Sequence, residues 1–214
     1  MLAREGIALW SRLWRAVGSL GERGPEGGEP LMVIPGFLAS DRATLGLQRA
    51  FARAGYRVTG WGLGFNTGVQ EDTLDRITAR VEAFGRGRKV VLVGWSLGGV
   101  YAREVAKLRP DLVAKVATLG SPFSGDRRSN NAWRLYELVA RHPVDQPPID
   151  TVLEAKPPVP TLAIWSRRDG IVAAAAARGE AGERDADLEL DSSHMGFAVS
   201  GRIFPKIVEA VRSF

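Results

Sequence analysis

Three side chains of this 214-residue chain have the types needed for nucleophilic catalysis: Ser96, His194 and Asp169. A serine hydroxyl is almost wholly protonated at neutral pH, so as a nucleophile it needs a base beside it, normally a histidine that a carboxylate orients. The supply of bases is short, because the chain has only two histidines. His142 sits between Arg141 and Pro143 at the end of a predicted surface helix, whereas His194 lies in Asp191-Ser192-Ser193-His194-Met195-Gly196, just past the last predicted strand. Asp169 belongs to Ser166-Arg167-Arg168-Asp169-Gly170-Ile171-Val172, directly after the strand that ends at Trp165. Ser96 is the centre of Gly94-Trp95-Ser96-Leu97-Gly98, a G-x-S-x-G pattern. The chemistry open to such a trio is acyl transfer through serine. Each member also has a plainer reading: a helix N-cap for Ser96, an Asx-turn before glycine for Asp169, a satisfied surface histidine for His194.

The surrounding elements decide whether the three can meet. Lys89 to Val93 is a β-branched apolar run that enters the glycine-flanked serine, and Val100 to Leu108 carries a helical pattern that Pro110 stops. A strand, a tight turn and a helix with serine at the apex is the setting that G-x-S-x-G requires, and it predicts a positive φ at Ser96. Gly94 and Gly98 are expected where bulk would collide, and Gly98 with Gly99 lets the helix lie close to neighbouring strands. Upstream, Leu31 to Ile34 is a continuous apolar run closed by Pro35-Gly36, as a strand buried on both faces would be. A helix over Thr44 to Ala54, a short strand over Tyr56 to Gly60 and a helix over Glu71 to Phe84 follow, the last with Leu74, Ile77, Val81 and Phe84 on one stripe. Downstream come strands over Val113 to Leu119, Thr161 to Trp165 and Leu188 to Leu190, a helical start at Ala173 to Ala177, and a closing helix over Phe204 to Val211. Alternating strands and helices predict a mostly parallel sheet with helices on both faces, and ligands then bind outside the carboxyl ends of the strands.

Composition narrows the classes. With 45% hydrophobic residues the chain can bury one good core, and it reads as a single domain over 1–214. The net charge of +5 comes from basic residues scattered singly or in pairs, such as Arg127-Arg128, so no stripe for nucleic acid is present. Absence of cysteine removes disulfides, thiol catalysis and thiolate metal sites together. No window approaches the roughly 18 consecutive apolar residues of a spanning helix, and Arg12 and Arg15 interrupt what would otherwise be a secretory apolar run, so a cytoplasmic protein is expected. Residues 1–20 instead read as an amphipathic helix with Trp10 and Trp14, suited to packing on its own domain or to peripheral membrane contact. Between the fourth and fifth predicted strands, residues 121–159 hold a helix over 131–141 and a proline-rich stretch, placed to serve as a lid or as a plain crossover.

On Gly94-Trp95-Ser96-Leu97-Gly98, Ser166-Arg167-Arg168-Asp169-Gly170-Ile171-Val172 and Ser193-His194, with a looser match at Pro35-Gly36-Phe37, the chain resembles the α/β-hydrolase superfamily and in particular its compact lipase- and esterase-like members. The resemblance covers roughly residues 30 to 214, with reduced N-terminal strands and a minimal lid, and the chain order serine, aspartate, histidine is that of the fold. It implies a catalytic triad of Ser96, Asp169 and His194. It also implies an oxyanion hole from the backbone N–H groups of Leu97, next to the nucleophile, and of Phe37, on the loop after the first core strand. Many lipases carry His-Gly where this chain has Pro35-Gly36, which leaves the backbone donor one residue later in place; Phe37 has the alternative of being a core aromatic. Substrate walls are expected from Trp95, Leu38, Phe65, Phe123 and Met195. The implied activity is carboxylic ester hydrolysis through an acyl-enzyme, on a small-molecule or lipid ester, with no metal or organic cofactor. A thioesterase, acyltransferase or amidase on the same triad remains open, as does a catalytically silent hydrolase-like binding protein. The oligomeric state is left open.

Overall fold

The computed structural model describes residues 21–125 and 152–214. The predicted helices over 1–20 and 131–141, His142, and most of the 121–159 segment lie outside the described residues.

An apolar run with no polar alternation has to be covered on both sides, and the first strand, β1 (Pro30–Ile34), is: all five residues are buried. Leu31 and Val33 enter one core layer while Met32 and Ile34 enter the other, as the two-residue period of a strand dictates. In chain order there follow α1 (Leu45–Arg53), β2 (Arg57–Gly60), α2 (Thr73–Gly85), β3 (Val90–Trp95), α3 (Leu97–Leu108) and β4 (Val113–Leu119). After these come β5 (Thr161–Trp165), α4 (Ala174–Arg178), β6 (Ala186–Glu189), α5 (Gly196–Val199) and α6 (Phe204–Ser213). The strands form one sheet in the order β2-β1-β3-β4-β5-β6, and every pairing is parallel. Leu47 and Phe51 of α1 with Phe204, Ile207 and Val211 of α6 cover one face. Leu74, Ile77, Val81 and Phe84 of α2 with Tyr101, Ala102 and Val105 of α3 cover the other. The α/β architecture expected from the alternation of elements is therefore present, with helices on both faces.

The sheet order reverses at β1, which has β2 on one side and β3 on the other. Loops leaving β1 and β3 thus start side by side and diverge, the crevice at which open α/β sheets bind ligands. The ladder ends with Ile34 opposite Gly94, so Pro35-Gly36 and Trp95-Ser96 continue in parallel at that edge. The loops after β4, β5 and β6 open at the same edge.

Two elements differ from the sequence reading. The last strand is Ala186–Glu189 rather than 188–190. Its register is set by β5, with Ala186 opposite Leu162 and Glu189 opposite Trp165, and the Asp187 and Glu189 side chains on its outer face mask a strand whose inner face carries Ala186 and Leu188. The one-turn helix α5, directly after His194, has no propensity signal and follows from Phe197 and Ala198 entering the core. From Val152 to Pro160 the chain forms no helix or strand, as its prolines predict.

Close approach of α3 to the sheet depends on glycine. A Cβ on Gly98 would stand 2.3 Å from the Ile34 carbonyl oxygen and 2.7 Å from that of Pro35, both backbone atoms that cannot turn aside. Gly98→Ala is expected to cost about 2–3 kcal/mol, at the upper end of overpacking penalties. Thermal denaturation should read this as a drop of roughly 4–12 °C, and an unchanged melting temperature would show that α3 can slide outward freely.

Candidate active site

Ser96 occupies the turn between β3 and α3 at φ 54°, ψ −125°, a backbone conformation that non-glycine residues keep only under external constraint. The constraint is visible. Its N–H donates to the Leu119 carbonyl at 2.9 Å, and the Gly99 N–H returns to the Ser96 carbonyl at 2.9 Å. Gly94 folds so tightly beneath the turn that a Cβ there would lie 2.3 Å from the Gly98 carbonyl oxygen. Ser96 and Leu97 themselves are partly exposed. The positive φ expected at the serine is present, and the N-cap alternative is not, since Ser96 makes no side-chain cap hydrogen bond.

Asp169 and His194 meet. The imidazole Nδ1 is 2.7 Å from Asp169 Oδ2, with 1% of the aspartate side chain and 7% of the histidine side chain exposed. The other carboxylate oxygen, Oδ1, accepts the Ile171 and Val172 N–H groups, each at 2.9 Å. One oxygen thus holds the turn and the other faces the imidazole. Against an acceptor-only carboxylate Nδ1 is the donor, so in the neutral imidazole the lone pair is on Nε2, which is the tautomer a base requires. Gly120, at φ 55°, lies so near that a Cβ there would be 2.8 Å from Asp169 Oδ2.

The loop bearing His194 is held from two sides by residues whose roles no local pattern announces. Ser166 is buried, and its Oγ accepts N–H groups from Arg168 at 3.0 Å and Ser192 at 3.2 Å, which fastens the aspartate loop to the histidine loop. Trp95, immediately before Ser96, donates its indole N–H to the His194 carbonyl at 3.1 Å, and its ring centroid stands 5.6 Å from that of the imidazole. With 3% exposure, Trp95 underlies the site instead of forming its outer wall. Trp95→Phe is expected to keep the packing, lose the donor to a buried carbonyl at a cost of about 1–2 kcal/mol, and, on the serine-hydrolase reading proposed below, slow turnover about tenfold by loosening His194 (roughly 1.4 kcal/mol in barrier). Melting temperature and kcat measured together check this.

The remaining predicted residues divide. Phe37 is partly exposed and Leu38, Phe65 and Met195 are exposed at 42%, 69% and 49%. Phe123 is interior, with 1% exposure and the Arg103 guanidinium 4.0 Å above its ring. Arg103, on α3, is itself fully buried, and burial pushes its guanidinium pKa down to about 10. It donates to the carbonyl oxygens of Leu153, Glu154 and Ala155, on the stem that leads into β5, and to that of Glu183, just before β6. The loop after β1 passes close to Ser96: a Cβ on Gly36 would be 3.1 Å from Ser96 Cβ and 3.2 Å from the Trp95 ring. Among the described residues no group of three or more His, Asp or Glu converges to hold a metal ion, and no helix is long and apolar enough to cross a membrane.

The sequence profile of the alpha/beta hydrolase fold matches residues 29–148, more than half of the chain. The chain belongs to the α/β-hydrolase family. Solved α/β-hydrolase-like structures resemble it over nearly their whole length. A lipase-esterase related protein from Clostridium acetobutylicum superposes with a TM-score of 0.68 at 14% identity, covering 90% of this chain and 97% of that one. A metagenome-derived lipolytic enzyme of the LipS and LipT pair gives 0.65 at 18% identity, with 90% and 100% covered. The thioesterase domain from the curacin biosynthetic pathway gives 0.60 at 12% identity, with 88% and 93% covered. At these identities the likeness is one of fold. No curated protein sequence matches the chain.

Proposed function

We propose that the protein is a serine hydrolase that cleaves carboxylic esters through an acyl-enzyme, with residues 1–214 acting as one domain. The observation that carries this reading is the buried 2.7 Å His194–Asp169 pair on the same sheet edge as a serine held at φ 54°. Nε2 of His194 takes the Ser96 proton as Oγ attacks the ester carbonyl, and Asp169 stabilises the imidazolium that results. The Leu97 amide, at the first turn of α3, and the Phe37 amide receive the charge that develops on the carbonyl oxygen. His194 then gives its proton to the leaving alcohol, so the C–O bond breaks with a neutral leaving group. A water, deprotonated by the same nitrogen, hydrolyses the acyl-Ser96 and returns the enzyme to its starting state. The exposed apolar side chains of Leu38, Phe65 and Met195 suit an acyl chain or aryl group better than a charged substrate.

The triad and hole do not choose the leaving group, so the test spans ester and thioester. p-Nitrophenyl esters from acetate to palmitate and acyl thioesters of matching length are compared, alongside labelling by a fluorophosphonate probe. Ester turnover with labelling is the expected result. Preference for the thioester would reassign the substrate class while keeping the machinery. Absence of both turnover and labelling would leave a hydrolase-like binding protein.

A further inference from the structure

We propose that Asn66 is a positioning residue for the oxyanion hole, fixing the direction of the Phe37 amide from behind; this rests on the serine-hydrolase reading above. Asn66 lies in the glycine-rich loop after β2 and is fully buried. A buried amide has to spend its donors and acceptors inside the protein, and Asn66 spends them on the loop after β1. Its Nδ2 donates to the Pro35 carbonyl at 2.9 Å, its own carbonyl accepts the Leu38 N–H at 2.7 Å, and its N–H donates to the Ala39 carbonyl at 2.8 Å. Oδ1 accepts the Gly68 N–H and the Tyr101 hydroxyl, both at 3.2 Å. The amide orientation follows from these partners, because the opposite one would set an NH₂ against the Gly68 N–H and an oxygen against the Pro35 carbonyl.

Three consecutive peptide planes are pinned as a result. Asn66 holds the carbonyl of the first, at Pro35, and the N–H of the third, at Leu38. The carbonyl of the middle plane, at Gly36, accepts the Ala39 N–H at 3.1 Å. A trans peptide is planar with its C=O and N–H opposed, and the N–H of this middle plane is that of Phe37. It therefore points away from Ala39, on a loop that passes within a methyl group's reach of Ser96. Leu38 at φ 55° is in the left-handed region, which a leucine keeps only where its surroundings hold it, and its bond to Asn66 is one of those holds. Tyr101 closes the circuit. It stands one turn beyond Leu97 on α3, so its bond to Asn66 ties the helix that carries one oxyanion donor, through Asn66 and Pro35, to the loop that carries the other.

Two variants separate this role from simple packing. Asn66→Asp preserves size and both acceptor contacts but cannot donate to Pro35; Tyr101→Phe removes one hydroxyl. Since loss of a whole oxyanion donor slows turnover about a hundred- to a thousandfold, Asn66→Asp is expected to lower kcat about 10- to 100-fold and Tyr101→Phe about 3- to 10-fold. KM should stay within about threefold, because the hole acts on the transition state. Affinity for a trifluoromethyl ketone, whose adduct with serine places an oxyanion in the hole, should fall by the same factor as kcat. Hydrogen exchange of the 35–40 peptide should quicken in both variants, with the rest of the protein unchanged. Variants that match the wild type in kcat and exchange overturn the assignment of Asn66. So does a loss of kcat that leaves trifluoromethyl ketone affinity intact. A wild type that is inactive and unlabelled by fluorophosphonate overturns the serine-hydrolase reading and this one with it, a result distinct from the other two.

Discussion

Ser96→Ala is expected to lower ester kcat by about 10⁴- to 10⁶-fold, the range seen when a member of a catalytic triad is removed, and to abolish fluorophosphonate labelling, while the melting temperature stays where it was. The reason for the separation is local. Alanine must adopt the same φ of 54° as serine, so the backbone strain is carried equally by both. The serine hydroxyl caps no helix amide, so its loss orphans no cap donor. Stability should change by no more than about 0.5 kcal/mol. Ser96→Gly makes the sharper companion, because glycine occupies positive φ without the Cβ penalty and should stabilise the fold by up to about 1 kcal/mol. A variant that is more stable and inactive would locate the strain at the nucleophile. Hydrolysis that survives either change would defeat the serine mechanism.

The site is unevenly legible in the sequence, and the physical reason is range. Gly94, Ser96 and Gly98 interact within five residues, so their spacing alone implies the turn, and the clash of a Gly94 Cβ with the Gly98 carbonyl is the geometric form of that pattern. His194 is legible by scarcity, as one of two histidines and the one beyond a strand end. Asp169 is legible because its loop follows β5 and so leaves the sheet at the same edge as the Ser96 turn. By contrast Asn66 bonds to Pro35 across 31 positions, Ser166 to Ser192 across 26, and Trp95 to His194 across 99. Nothing in the neighbourhood of any of these residues encodes its partner. A polar residue in a glycine-rich loop, a serine at a strand end and a tryptophan beside Ser96 each carry the signal of an ordinary position.

The same limit explains the walls. Trp95 ends β3, and Leu38, Phe65, Phe123 and Met195 lie in the loops that follow strands, which periodicity can place, but which way a side chain turns depends on what is packed there. Trp95 turns under the histidine loop because a buried carbonyl needs its donor, and Phe123 turns inward beneath the Arg103 guanidinium. Leu38 has no such claim on it, and its positive φ follows from the hydrogen bond of its own amide. The buried Arg103 shows the converse: on a helix read only for its helical pattern, a cation held by distant backbone carbonyls leaves no trace in the sequence around it.

Asp169→Asn is expected to reduce kcat about a thousand- to ten-thousandfold with little change in fold. The two carboxylate oxygens do different work, and the substitution can keep one while destroying the other. An asparagine carbonyl oxygen at Oδ1 still accepts the Ile171 and Val172 N–H groups, so the loop geometry survives. The amide NH₂ then falls where Oδ2 stood, 2.7 Å from His194 Nδ1, and an NH₂ facing a protonated Nδ1 is repulsive. The imidazole responds by moving its proton to Nε2, the nitrogen that should accept from Ser96, and the base is lost through its tautomer and not through its position. Alanine at 169 would be the poorer experiment, since it also strands two loop N–H groups at about 1–3 kcal/mol each and confounds mechanism with stability. Kinetics of Asp169→Asn with thermal denaturation tests the division of labour. Unchanged turnover would require another carboxylate to orient His194. The nearest in sequence, Asp191, is exposed and engaged with Arg168 at 3.0 Å, so it would first have to leave that partner.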